Sequence, residues 1–153
     1  MSGRPTSTAL VPTYNEEHNI RDCLSCLTWV DQIIVVDSFS TDRTVEIARE
    51  FTPHVYQHEY VNSATQKNWA MENLPIEGEW TLIVDADERI VPELAEEIRQ
   101  RLATDGNRYV GYFLNRRNYF CGRWIRGCGW YPSYNLRLFR TGYARYEDRE
   151  VDA

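Results

Sequence analysis

The chain has 153 residues, of which 42% are apolar and 26% charged, the composition of a soluble globular protein long enough to bury one core. No apolar run approaches the roughly 18 residues that a membrane-crossing helix needs, and Met1 to Ala9 lacks the basic start and apolar stretch of a secretory signal. Cys23, Cys26, Cys121 and Cys128 are too few and too scattered for a disulfide framework, so the net charge of −6 is expected on a cytoplasmic protein with reduced thiols. Taken in chain order, Thr8–Pro12 is a short apolar run that reads as a buried strand. Glu16–Val30 then places Ile20, Cys23, Leu24 and Leu27 on one helical face. Gln32–Asp37, with Ile33 to Val36 consecutive, reads as a central parallel strand buried on both sides. Thr41 or Asp42 can cap a helix with Val45, Ala48 and Phe51 inward. His54–His58 is a short strand candidate, and Ser63–Leu74 reads as a helix with Ala64, Lys67, Ala70 or Met71, and Leu74 on one side. Glu79–Asp85 is a further strand, and Pro92 suits the first turn of a helix carrying Leu94, Ile98 and Leu102.

Strand and helix therefore alternate four times, which argues for an α/β fold with a mostly parallel sheet and helices on both faces. Ligands of such sheets bind beyond the carboxyl ends of the strands. That points to Pro12–Glu16, Asp37–Asp42 and Asp85–Asp87. After Gly106 the texture changes. Tyr109–Leu114 and Leu136–Phe139 read as strands, and the stretch between them is aromatic, basic and rich in glycine. Residues 1–105 hold 8 Lys or Arg against 19 Asp or Glu, whereas residues 106–146 hold eight arginines and no acid. Such a segment suits an anionic neighbour such as phosphates or a membrane surface, or else balances the acidic part of the same protein. The texture reads as a second lobe of one domain.

Asp85-Ala86-Asp87 is the sharpest chemical feature. Two carboxylates one residue apart, just after a buried strand, can bind a hard divalent cation through oxygen, with substrate phosphates and water completing the shell. Asp37 holds the matching place after the second strand, where a carboxylate can accept from a nucleobase N–H or a ribose hydroxyl. Asp42 and Thr41 suffice to cap the next helix, which leaves Asp37 for another task. Tyr14 and Glu16 could hold a base, while Asn15 can cap the following helix with Glu16 and Glu17 favourable to its dipole. Cys23 and Cys26 lie on one predicted helix with Leu24 and Leu27 and read as core thiols. The histidines His18, His54 and His58 form no ligand pattern, and neither a P-loop nor a nucleophile elbow occurs.

Val11-Pro12-Thr13-Tyr14-Asn15-Glu16, then Val35-Val36-Asp37-Ser38 with Ser40-Thr41-Asp42-Arg43-Thr44, then Val84-Asp85-Ala86-Asp87-Glu88, resemble the family 2 glycosyltransferases in spacing and order. Gln66-Lys67-Asn68-Trp69-Ala70 and Tyr134-Asn135-Leu136-Arg137-Leu138-Phe139-Arg140 resemble the branch that includes lipopolysaccharide-core β-glucosyltransferases. The resemblance implies a GT-A-like nucleotide-diphospho-sugar fold over residues 1–153, with 1–105 as the nucleotide-sugar-binding part and 106–153 as the start of the acceptor-binding part. It implies inverting chemistry with Mg²⁺ or Mn²⁺. By position, Pro12, Thr13, Tyr14, Glu16, Asp37, Lys67 and Asp85 would hold the donor, and Asp87, with Asp85, the metal.

Two positions depart from the family pattern. Phe39 stands where a glycine follows Asp37-Ser38, and would be strained if that site needs a positive φ. The general base of related sequences lies in an acidic motif after the acceptor lobe. Glu147, Asp148 and Glu150 are the late acids here, so Asp148 and Glu150 are the candidate catalytic residues unless the base lies beyond Ala153 in a chain cut short. The expected reaction moves a sugar, with glucose as the candidate, from a UDP-sugar to a saccharide or lipopolysaccharide-core acceptor. Tryptophans and arginines between Asn115 and Arg140 would shape the acceptor site. The rivals are a donor-binding module that lacks the base, a nucleotidyltransferase, and a nucleic-acid surface on the basic stretch. The acidic Tyr14-Asn15-Glu16-Glu17 loop argues against the second, and the acidic first lobe argues against the third, so no nucleic-acid partner is expected. The basic and aromatic stretch could also lie against anionic lipid at the inner face of a membrane, although its pattern is not that of an amphipathic helix.

Overall fold

The computed structural model describes residues 5–105, 111–114, 120–125 and 136–142. Strand β1 (Ser7–Thr13) is followed by helix α1 (Ile20–Ser25), β2 (Gln32–Asp37), α2 (Thr44–Ala48), β3 (Val55–Gln57), α3 (Ser63–Asn73), β4 (Trp80–Ile83) and α4 (Pro92–Asp105). Three further strands follow, β5 (Gly111–Leu114), β6 (Phe120–Ile125) and β7 (Leu136–Arg140). All seven strands form one sheet in the order β3-β2-β1-β4-β7-β5-β6. The first four run parallel, and β7 adds to β4 antiparallel, with Leu82 opposite Leu138. β6 was not expected, because Gly122 and Arg123 interrupt its six residues, and an interior glycine weakens a strand signal.

Alternation along the strands divides the core. Ala9, Val11, Ile33, Val35 and Leu82 pack with residues of α1, α2 and α4, while Leu10, Ile34, Val36 and Ile83 pack with α3 and Phe139. Every residue of β2 is buried, as a central parallel strand requires. The α4 residues Leu94, Ile98 and Leu102 all face the core as their spacing predicts.

Three helices differ from expectation. α1 is shorter than its apolar pattern, because from Cys26 the chain tightens to three-residue spacing, with the Cys26 N–H on the Cys23 carbonyl at 3.3 Å and the Leu27 N–H on the Leu24 carbonyl at 3.0 Å, and the Trp29 indole N–H takes the Cys26 carbonyl at 2.9 Å. The Val30 N–H likewise turns to Leu27, and the chain closes in short turns that still bury Leu27. In α3 the buried positions are Gln66, Asn68 and Ala70, and the predicted apolar face is only partly covered. Buried amides are tolerated there because Gln66 finds polar partners on neighbouring elements. In α2 the inward residues are Thr44, Ile47 and Ala48, with Val45 and Phe51 half-buried. Among the described residues, no helix is long and apolar enough to cross a membrane.

Candidate functional site

The carboxyl ends of β1, β2 and β4 open onto a cleft of about 480 Å³ whose remaining wall comes from α3 and Tyr60. Pro12, Thr13, Tyr14 and Glu16 line it from β1 and the loop after it, Asp85 and Asp87 from the loop after β4, and Lys67 from α3. The three separated sequence segments thus meet in one place. Ser38, Tyr60, Gln66 and Ala86 also line the cleft. Ser38, Gln66 and Ala86 adjoin residues already singled out, whereas nothing in the local pattern marks Tyr60. Asp148 and Glu150 lie outside the described residues, as do Glu147 and most of the basic stretch.

The loops after β1 and β2 are tied to each other. Asn15 takes a φ of 51° and accepts from the Thr41 N–H at 2.8 Å, while its own N–H donates to Ser40 Oγ at 2.8 Å. Its side chain therefore joins two loops and does not cap α1, where Asn19 stands at the cap position. The cap position of α2 falls to Arg43, with no side-chain cap, and not to Thr41 or Asp42; Asp42, one residue earlier, accepts from the Thr44 N–H at 2.9 Å and from the Glu17 N–H at 3.2 Å. Burial of its carboxyl works toward a higher pKa, but the Thr44 and Glu17 donors outweigh it and hold the group below its ordinary value.

Asp37 is fully buried and is not part of the cleft wall. Its Oδ1 accepts from Thr13 Oγ1 at 2.8 Å and from Ser40 Oγ at 2.5 Å. Its Oδ2 accepts from the Ser40 N–H at 2.8 Å and from Gln57 Nε2 at 3.2 Å. The carboxylate is thus engaged by four donors of the protein, beneath the cleft floor. Ser38 links this network to α3 at the cleft wall, since its Oγ accepts from Gln66 Nε2 at 2.8 Å. Gln66 Oε1 lies 3.1 Å from His58 Nδ1, and the His58 ring stacks on Trp69 with centroids 3.8 Å apart.

The loop after β4 carries the exposed acids. Asp85 has 43% of its side chain exposed, and Asp87 is exposed with no hydrogen bond or ion pair among the described residues. Glu88 turns back: its Oε1 accepts from the Asp85 N–H at 2.9 Å. Arg137 of β7 reaches across, donating from Nη1 to Glu88 Oε1 at 2.6 Å and from Nη2 to Glu88 Oε2 at 2.9 Å. Burial works to raise the Glu88 pKa, but the hydrogen bonds and charge of Arg137 prevail and hold it below the ordinary value. From beneath, the Ile90 N–H donates to Cys26 Sγ at 3.1 Å, and Cys23 Sγ approaches the Asp85 carbonyl at 3.6 Å. Burial pushes the Cys23 thiol far up, so it stays a neutral packing group.

Among the described residues no set of three or more His, Cys, Asp or Glu side chains gathers for a metal. Three carboxylates line the cleft, Glu16 from the loop after β1 and Asp85 and Asp87 together from the loop after β4. That suits a hard divalent cation sharing its shell with phosphate oxygens and water rather than a closed protein cage.

The sequence matches the model of the family described as Glycosyl transferase family 2 over residues 8–151. The chain belongs to this family. Of its family 2 relatives, a lipopolysaccharide core biosynthesis glycosyltransferase, LpsC of Rhizobium meliloti (strain 1021), is 31% identical over 144 residues, covering 91% of this chain and 52% of the relative. The chain spans about half the length of that curated relative. A crystal structure of S. aureus TarS in complex with UDP-GlcNAc aligns with a TM-score of 0.52 at 30% identity, covering 61% of this chain and 30% of that one. Glucosyl-3-phosphoglycerate synthase of Mycobacterium tuberculosis, in complex with Mg²⁺ and UDP, shares the fold with a TM-score of 0.53 at 20% identity, over 65% of this chain and 40% of that one. The GT-A-like architecture expected from the sequence is the architecture found.

Proposed function

We propose that the cleft binds a UDP-sugar and that the chain forms the donor half of an inverting transferase acting on a saccharide or lipopolysaccharide-core acceptor. The observation that carries this reading is the convergence of Pro12 to Glu16, Ser38, Lys67 and Asp85 to Asp87 on one cleft at the strand ends. The TarS complex with UDP-GlcNAc, at 30% identity, supports a nucleotide-sugar ligand, and the LpsC relative supports the acceptor class. Tyr14 and Glu16 would meet the nucleoside, and Lys67 the negative donor. Asp87 and Asp85 would hold Mg²⁺ or Mn²⁺, which supplies charge neutralisation to the departing diphosphate. The acceptor hydroxyl attacks the anomeric carbon from the face opposite UDP. The new C–O bond forms as the bond to UDP breaks, and the hydroxyl proton passes to a base. Asp148 and Glu150 remain the candidates for that base.

Asp37 enters this reading as the support of the loop from Phe39 to Asp42, with its neighbour Ser38 lining the cleft. A cytoplasmic location, with contact at the inner face of a membrane for a glycolipid acceptor, is part of the same proposal. Calorimetric titration with UDP, with and without Mn²⁺, tests the donor site. Binding that tightens with Mn²⁺ in the wild type and loses that gain in Asp87→Asn is the expected result. A folded wild-type chain that binds no UDP in either condition overturns the reading.

A further inference from the structure

Arg137 belongs to the arginine-rich stretch whose charge suggests external phosphates, yet its side chain is only 10% exposed. Its guanidinium is engaged by the protein. Nη1 donates to the Ile83 carbonyl at 3.1 Å, closing the end of β4, and both Nη atoms fork onto Glu88. Nη2 also stands 3.6 Å from Asp85 Oδ2, within reach of ion pairing and beyond hydrogen-bond distance. Asp85 therefore faces two competitors for its carboxylate, this arginine and whatever cation enters the cleft. Glu88 decides between them, because it holds the guanidinium by two shorter contacts and leaves Asp85 exposed to the cleft.

We propose that Glu88 is a positioning residue that sequesters Arg137 and so keeps the Asp85 carboxylate available to the divalent cation of the donor complex. This inference rests on the UDP-sugar reading of the cleft. Because Glu88 holds the guanidinium by its two shorter contacts, the loop presents to the cation Asp87 and an Asp85 that is only loosely paired at 3.6 Å. If the Glu88 charge is removed, Arg137 keeps its anchor at Ile83, and its nearest remaining anion among the described residues is Asp85. A new pair there would occupy a carboxylate oxygen that the metal needs. Partners one step removed from a metal ligand commonly change its affinity by about 10- to 100-fold.

The test titrates Mn²⁺ into protein saturated with UDP, by calorimetry, well below the unfolding temperature. Glu88→Gln is expected to weaken Mn²⁺ binding about tenfold while leaving metal-free UDP binding unchanged. Adding Arg137→Gln to Glu88→Gln is expected to recover most of the loss, because the competing cation is gone. A role confined to folding predicts the opposite order, with the double variant weaker than the single. If the double variant does not unfold cooperatively, Glu88→Asp takes its place and should fall between wild type and Glu88→Gln. Arg21→Gln, which breaks a surface pair with Glu50, is the control and should bind as wild type does. Equal Mn²⁺ affinity in wild type and Glu88→Gln overturns the inference and leaves the donor site standing. Absence of UDP binding in the wild type overturns both.

Discussion

Phe39 is the residue at which local rule and fold collide. Its φ is 59°, the left-handed region, and its side chain is 55% exposed with no burial to compensate. The turn is imposed by Asp37, whose carboxylate holds both the N–H and the hydroxyl of Ser40 and so fixes the backbone on either side. A side chain other than glycine or asparagine in this region costs about 1–2 kcal/mol. Asn15, the other non-glycine residue with positive φ among the described residues, belongs to the tolerant class. Phe39→Gly is therefore expected to be more stable than Phe39→Ala by about 1 kcal/mol, since alanine keeps the backbone penalty and glycine removes it. Thermal unfolding of the two variants measures this, and an alanine variant at least as stable as the glycine variant would show that the turn is unstrained. The departure from glycine was visible in the sequence. The positive φ it implied depended on the Asp37 turn and needed the structure.

Elements were legible where one physical signal dominated. β2 and α4 appear with the predicted residues buried, because a continuous apolar run and a four-residue apolar spacing leave little competition. α3 was harder, since its buried side chains include Gln66 and Asn68, and no hydrophobic pattern reports a buried amide. At α2 the local rule picked out a residue that matters but not its role, since Arg43 stands at the cap position and Asp42 precedes it. Asp42 accepts from Thr44 in α2 and from Glu17 in the loop after β1, so it couples two elements of the cleft. Its pKa is depressed, so its charge stabilises the fold above the unfolded value near 3.9, and that stability is lost as pH falls through the lower folded value. Asp42→Asn retains one accepting oxygen without the charge. Its melting temperature should lie below wild type at pH 7, and the gap should close as pH falls below about 3.9. A gap that is constant with pH would assign Asp42 a purely geometric role.

At the scale of the whole molecule, the change of texture at Gly106 is a boundary in composition and not in the sheet. β7 lies beyond it in sequence and pairs antiparallel with β4, the strand that delivers Asp85 and Asp87. Leu138 and Phe139 are buried in the two core clusters on opposite faces, and Arg140 lies over the Trp80 ring at 5.0 Å. Of the eight arginines of the basic stretch, Arg137 pairs with Glu88 and Asp85 of the acidic part, so for this arginine the charge is balanced internally, an alternative that composition alone left open. Sequence periodicity could find β7 as a strand but not its partner, because strand order is a long-range property. The same topology predicts what a chain cut after Asp105 would do. Losing β7 would strip β4 of its neighbour on one side and uncover Trp80, Leu82 and Ile83, all of them buried in the full chain. An exposed apolar edge strand recruits other chains. Removing buried residues the size of Leu138 and Phe139 costs several kcal/mol, a large part of an ordinary domain's stability. Residues 1–105 alone are therefore expected to self-associate in size-exclusion chromatography and to melt without a cooperative transition. A monomeric fragment with a sharp transition would mean that the parallel strands fold independently of β7.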